Sequence, residues 1–132
     1  MSTRYGFNTE FAGSFEQAVE RVTQALKVEG FGVLTTIDVA ATLKNKLGVD
    51  MPRYLILGAC NPGFAHRALQ AEPDIGLLLP CNVVVREDSA GKVTVGFMDP
   101  QPVLGLVDAP QVHELGSQVR TALQRVSEAL RA

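Results

Sequence analysis

Cys81-Asn82-Val83-Val84-Val85-Arg86-Glu87, then Asp88-Ser89-Ala90-Gly91, then Lys92-Val93-Thr94-Val95-Gly96-Phe97-Met98 is the stretch that decides the fold. Two runs rich in β-branched residues flank a short polar loop that ends in glycine, the pattern of an antiparallel hairpin. A hairpin excludes a purely parallel sheet. The chain is therefore expected to be α+β, with about five mostly antiparallel strands and the two longest helices on one face.

Upstream, Tyr54 to Ala59 is continuously apolar, as in a strand covered on both faces, and Cys60-Asn61-Pro62 follows at once. Asn61 can cap a helix and Pro62 can take its first position, so Gly63 to Ala71 is expected to be helical, stopping before Pro73. Phe31, Val33, Thr35 and Ile37 alternate as a strand that ends at Asp38, which can cap a helix carrying Val39, Leu43 and Leu47 and closed by Gly48. Ser14 and Gln17 have capping-box spacing, and Phe15, Ala18, Val22 and Leu26 recur at helical period until Gly30. Tyr5 to Phe11, with its aromatics, suits an N-terminal strand.

Downstream, Ile75 to Leu79 is too short to assign. Asp99 to Pro110 contains three prolines and is expected to be a surface excursion. Val112, Leu115, Val119, Leu123, Val126 and Leu130 mark the last helix, with Asp108 and Gln111 expected at its cap. The order is thus β-α-β-α-β-α-β-β-α. Leu34, Leu55, Leu57 and Val84 are expected on the opposite side of their strands from equally apolar neighbours. A single layer would leave that side wet, so the shorter helices or a second subunit should cover it. A C2 homodimer is the expected assembly.

Composition narrows the function classes. At 132 residues, with 46% hydrophobic and 20% charged side chains, the chain is one ordinary globular domain and shows no linker, repeat or low-complexity tract. Its net charge is −2, and no Lys/Arg cluster of a size to neutralise several phosphates is present, so nucleic acid is not an expected partner. No apolar run is long enough to span a bilayer and Met1 to Glu10 lacks the blocks of a signal peptide, so no membrane association is expected and the location is expected to be cytoplasmic. Two cysteines in such a compartment are expected to be free thiols.

Ile56-Leu57-Gly58-Ala59-Cys60-Asn61-Pro62, Ala65-His66-Arg67-Ala68-Leu69 and Leu79-Pro80-Cys81-Asn82-Val83-Val84-Val85-Arg86 together resemble the uncharacterised prokaryotic family known as domain of unknown function 302. Gly30-Phe31-Gly32-Val33-Leu34 and Thr42-Leu43-Lys44 resemble its earlier blocks, so the resemblance covers most of the chain. It implies a compact α+β fold similar in layout to the TATA-binding-protein superfold, and homodimers. It implies no reaction and no DNA binding, because function resides in sites and the basic surface is missing. It also implies that the cysteines belong to one branch of the family, so a function common to all members would not depend on thiols.

The chemistry-bearing residues converge on the two Cys-Asn pairs. Cys60 is expected immediately before a helix N-terminus, where the dipole and free N–H groups favour the thiolate. The bland alternative is a buried cysteine acting as a small hydrophobe. Cys60, Asn61, Cys81 and Asn82 are the expected ligand-binding set, with asparagine amides orienting a small polar ligand or sulfur species and thiols binding it. The alternatives are a thiol-dependent redox protein or enzyme with Cys60 as nucleophile and Cys81 resolving it, and a non-catalytic interaction domain in which the motif is structural.

A metal would need Cys60, Cys81 and a third group such as His66, a spacing unlike any zinc knuckle. His113, in the first turn of the last helix, is expected to be structural. Asn61-Pro62-Gly63 opens a helix that could hold an anion, but neither a Walker lysine nor G-x-G-x-x-G is present, and the sequence names no cofactor. Asp38 with Lys44 or Lys46 is explained by a cap and helix-end charges.

Overall fold

The computed structural model describes residues 3–131. Five strands form one antiparallel sheet in the order β1-β5-β4-β3-β2. They are β1 (Gly6–Phe11), β2 (Gly32–Asp38), β3 (Tyr54–Cys60), β4 (Cys81–Glu87) and β5 (Val93–Met98). The helices are α1 (Phe15–Val28), α2 (Val39–Leu47), α3 (Pro62–Ala71), α4 (Pro100–Leu104) and α5 (Pro110–Ala129), with a 3-10 helix over Pro73–Leu78.

The β4–β5 hairpin forms as its sequence dictates. Asp88 Oδ1 accepts hydrogen bonds from the amides of Ala90 (3.0 Å) and Lys92 (2.9 Å), closing the loop, and Gly91 takes φ +83°. The register pairs Val83 with Phe97 and Val85 with Val95. Those four side chains are buried, and across the sheet Leu57 and Ala59 continue the same face. Alternation then puts Val84, Gly96, Ile56 and Asn8 in one row on the other face.

Two helices cover the first face. α1 begins at a complete capping box, Gln17 N–H to Ser14 Oγ at 3.1 Å and Ser14 N–H to Gln17 Oε1 at 2.9 Å. Its Phe15, Ala18, Val22 and Leu26 join Val119, Leu123, Val126 and Leu130 of α5 and the inward strand residues in the larger buried cluster. Each of these helices has a single apolar stripe, so both must lie on this one face.

Several expectations need correction. Leu57 is buried on the helix face and Leu55 packs against that core, so Ile56 and Val84, half-buried, represent β3 and β4 on the open side. Asp99 to Pro110 is not a simple surface excursion. Asp99 Oδ1 caps α4 through the Gln101 amide at 3.0 Å, its Oδ2 meets Arg120 Nε at 2.9 Å, and Pro100 and Leu104 are buried. Nor do Asp108 and Gln111 cap α5. Its N-cap is Ala109, which has no side-chain acceptor, and Pro110 fills the first turn where a free N–H would otherwise need one. Ile75 to Leu79, left unassigned by the sequence, is mostly 3-10 helix, with Ile75 buried in a second cluster alongside Ala68, Leu104, Val112 and Leu115.

Among the described residues no helix is long and apolar enough to cross a membrane.

Candidate functional site

The two hydrophobic clusters do not meet completely. Between them, where β2 begins and β3 ends beside α3, lies a cavity of about 390 Å³. Its floor comes from both sides: Phe31, Ala59, Cys81 and Val119 of the larger cluster, and Ala68, Leu104 and Leu115 of the smaller. Phe64 of α3 packs against both clusters and forms a wall. Leu34, Thr35, Ala65, Leu69, Leu79 and Pro80 complete the lining towards solvent.

Both cysteines reach this cavity. The β3–β4 register places Ala59 opposite Cys81, and Cys60 is the next residue along, at the strand's end. Cys81 is buried, Cys60 is half-buried, and both are free thiols. Burial pushes the Cys81 thiol up to about 11, with the nearby Cys60 adding to the effect, and burial also raises Cys60. Burial thus works against the thiolate expected at the α3 N-terminus. At the same helix end Pro62 has no N–H, and Asn61 Oδ1 already accepts from the amides of Gly63 (3.1 Å) and Phe64 (3.2 Å). The donors that would have stabilised an anion are occupied.

Asn61 is thus first a helix cap, and its amide nitrogen turns towards Gly30. A Cβ on Gly30 would stand 2.9 Å from Asn61 Nδ2, and Gly30 has φ +85°, so the turn leaving α1 and the cap of α3 are fitted to each other. Asn82 is elsewhere. It pairs with Gly58 but is exposed, and it lines a separate groove on the open sheet face with Asn8, Tyr54, Val84 and Arg86. The expected four-residue set therefore separates into Cys60, Asn61 and Cys81 at the cavity, and Asn82 on the other side of the sheet.

The metal set does not assemble either. His66 is exposed on α3 and does not line the cavity, and no three His, Cys, Asp or Glu side chains among the described residues come together to hold a metal ion. His113 donates from Nε2 to the Val107 carbonyl, a structural link from α5 to the segment before it. Asp38 caps α2 through the Ala41 amide at 2.9 Å and Lys44 pairs with Asp50 at 2.9 Å, so these charges form no pocket.

No local pattern marks the residues that shape the cavity most. Phe31, Phe64 and Ala65 read as ordinary strand and helix residues, and the role of Leu34 depends on a break in the β2–β3 register between Val33 and Thr35.

A family model described as domain of unknown function DUF302 matches residues 7–130, nearly the whole described chain. The chain belongs to this family. A crystal structure of an uncharacterised conserved DUF302 protein from Bacillus stearothermophilus superposes with a TM-score of 0.89 at 28% identity, covering 97% of this chain and 99% of that one. An uncharacterised protein of Aquifex aeolicus (strain VF5) is 31% identical over 67 residues, which span 48% of this chain and 46% of that relative. The DUF302 crystal structure establishes the α+β fold, and both relatives are described only as uncharacterised.

Proposed function

We propose that this DUF302 domain binds a small organic molecule in the cavity between its two hydrophobic clusters. The supporting observation is the cavity itself. At about 390 Å³ it falls within the range of small-molecule sites, and its walls are apolar except for Thr35, Asn61 and the two thiols. The cavity is open to solvent past Leu34 and Leu69, so its apolar lining faces water until an apolar body replaces it. Two thiols held neutral by burial favour binding over the nucleophilic reading of Cys60.

The test is titration with phenylnaphthylamine, an uncharged dye whose fluorescence rises in apolar surroundings. Saturable binding of one dye per chain is expected. Ala65→Phe should abolish it while leaving the circular dichroism unchanged, because Ala65 lines the cavity without belonging to either buried cluster. Absence of saturable binding overturns the proposal.

We propose in addition that two copies associate through the open sheet face. Support comes from half-buried Tyr54, Ile56 and Val84, apolar side chains on the open face that lie outside both buried clusters. Closed twofold pairs are the commonest assembly. Sedimentation equilibrium should give a dimer that Val84→Lys converts to monomer, and a monomeric wild-type chain overturns this.

A further inference from the structure

We propose that the cavity takes an uncharged, apolar molecule, admitted past the bulge residue Leu34, and excludes anions of the same length. This rests on the ligand-binding reading above and adds the ligand's class and its route.

The class follows from what the walls lack. No charged side chain lines the cavity. The side-chain oxygen of Asn61, which could orient a polar ligand, is engaged by two amides of α3. Histidine is missing from the lining, and no metal-holding cluster exists among the described residues. A carboxylate or phosphate placed here would lose its hydration and find no compensating charge, whereas an apolar body loses nothing and gains contact with Phe31, Phe64 and the aliphatic walls. Both thiols are neutral at physiological pH, so they add no charge of their own.

The route follows from exposure. Phe31, Ala59 and Cys81 at the floor are buried, while Leu34 is 71% exposed and Leu69 is 44% exposed. The opening therefore lies between β2 and α3. β2 is an edge strand, and in its ladder Val33 pairs with Ala59 and Thr35 with Gly58, two consecutive residues of β3. Leu34 is the inserted residue and has no partner. Bulges at sheet edges re-aim a side chain. Here the re-aimed side chain is a leucine that lines an apolar cavity and is exposed, as is Leu69 of α3.

The experiment is competition against bound phenylnaphthylamine on the full chain, with decanol and decanoate as an uncharged and a charged competitor sharing one tail. At neutral pH decanol should displace the dye at a concentration lower by about tenfold or more, the order expected when a carboxylate must be desolvated without a partner. Stopped-flow mixing of dye with Leu34→Ala should show an association rate several-fold above wild type. This variant should fold, since the side chain it removes is exposed. Decanoate equal to or tighter than decanol overturns the uncharged class while leaving the binding reading intact. An unchanged association rate in Leu34→Ala overturns the route. Failure of the dye to bind the wild-type chain removes the binding reading itself, and this inference with it.

Discussion

Gly58 sits where three segments converge, and a Cβ there would stand 2.6 Å from Thr35 Cγ2 and 2.9 Å from Pro80 Cγ. Neither neighbour is a flexible chain end, so Gly58→Ala should destabilise by about 1–3 kcal/mol, the usual cost of overpacking, as measured by urea denaturation. At Asn61 the loss is of a cap. Asn61→Ala frees the Gly63 and Phe64 amides and should cost roughly 1 kcal/mol. The freed amides at the helix N-terminus should also favour the Cys60 thiolate, read as faster alkylation by iodoacetamide. For Cys81 the prediction concerns pH. Its folded value, about 11, lies above the ordinary 9.0, so between these pH values the folded chain keeps a proton that the unfolded chain has released. Stability falls as pH rises through that window. The melting temperature of the wild-type chain should accordingly decline more steeply from pH 9.0 to about 11 than that of Cys81→Ala.

At the scale of elements, the chain shows where local signals were sufficient. The Ser14/Gln17 capping box, the Asp38 and Asn61 caps, Pro62 at the start of α3 and the Asp88 loop all act as their residue types dictate, because each interaction closes within four residues of chain. α4 was missed for the opposite reason. Five residues with two prolines carry no periodic signal, and the helix persists because Pro100 and Leu104 are buried and the Pro100 carbonyl lies 3.0 Å from where a Cβ on Gly116 would stand. Gly116→Leu should therefore push α4 off α5. A loss of about 1–3 kcal/mol is expected, together with a change in dye affinity, because Leu104 of α4 lines the cavity.

Across the whole molecule, the sheet divides two tasks. One face buries the larger cluster under α1 and α5, and Leu123, fully buried at its centre, should cost about 2–5 kcal/mol when truncated to alanine. The other face presents Asn82, Arg86, Tyr54 and Val84. Because the side-chain period along a strand is two, Cys81 and Asn82 had to part company, one into the cavity and the other away from it. The Cys81-Asn82 pair could not stay together under that alternation, whereas Asn61 lies beyond the end of β3 and stays with Cys60 at the cavity. Cys60 and Cys81 share the cavity because β3 ends at Cys60, where the lining passes around the end of the sheet.

The sequence by itself determined the element order apart from the 3-10 helix and α4, the antiparallel hairpin, the starts of α1, α2 and α3, and which stripes of α1 and α5 are apolar, since all of these rest on interactions between residues close along the chain. Only the tertiary structure decided which thiol is buried, that the donors of α3 are already taken, that Leu34 leaves the ladder, and that two clusters from distant parts of the chain stop short of each other. Those are facts of register and of long-range packing. A cavity is a place where no residue is, and no local pattern of residues encodes it.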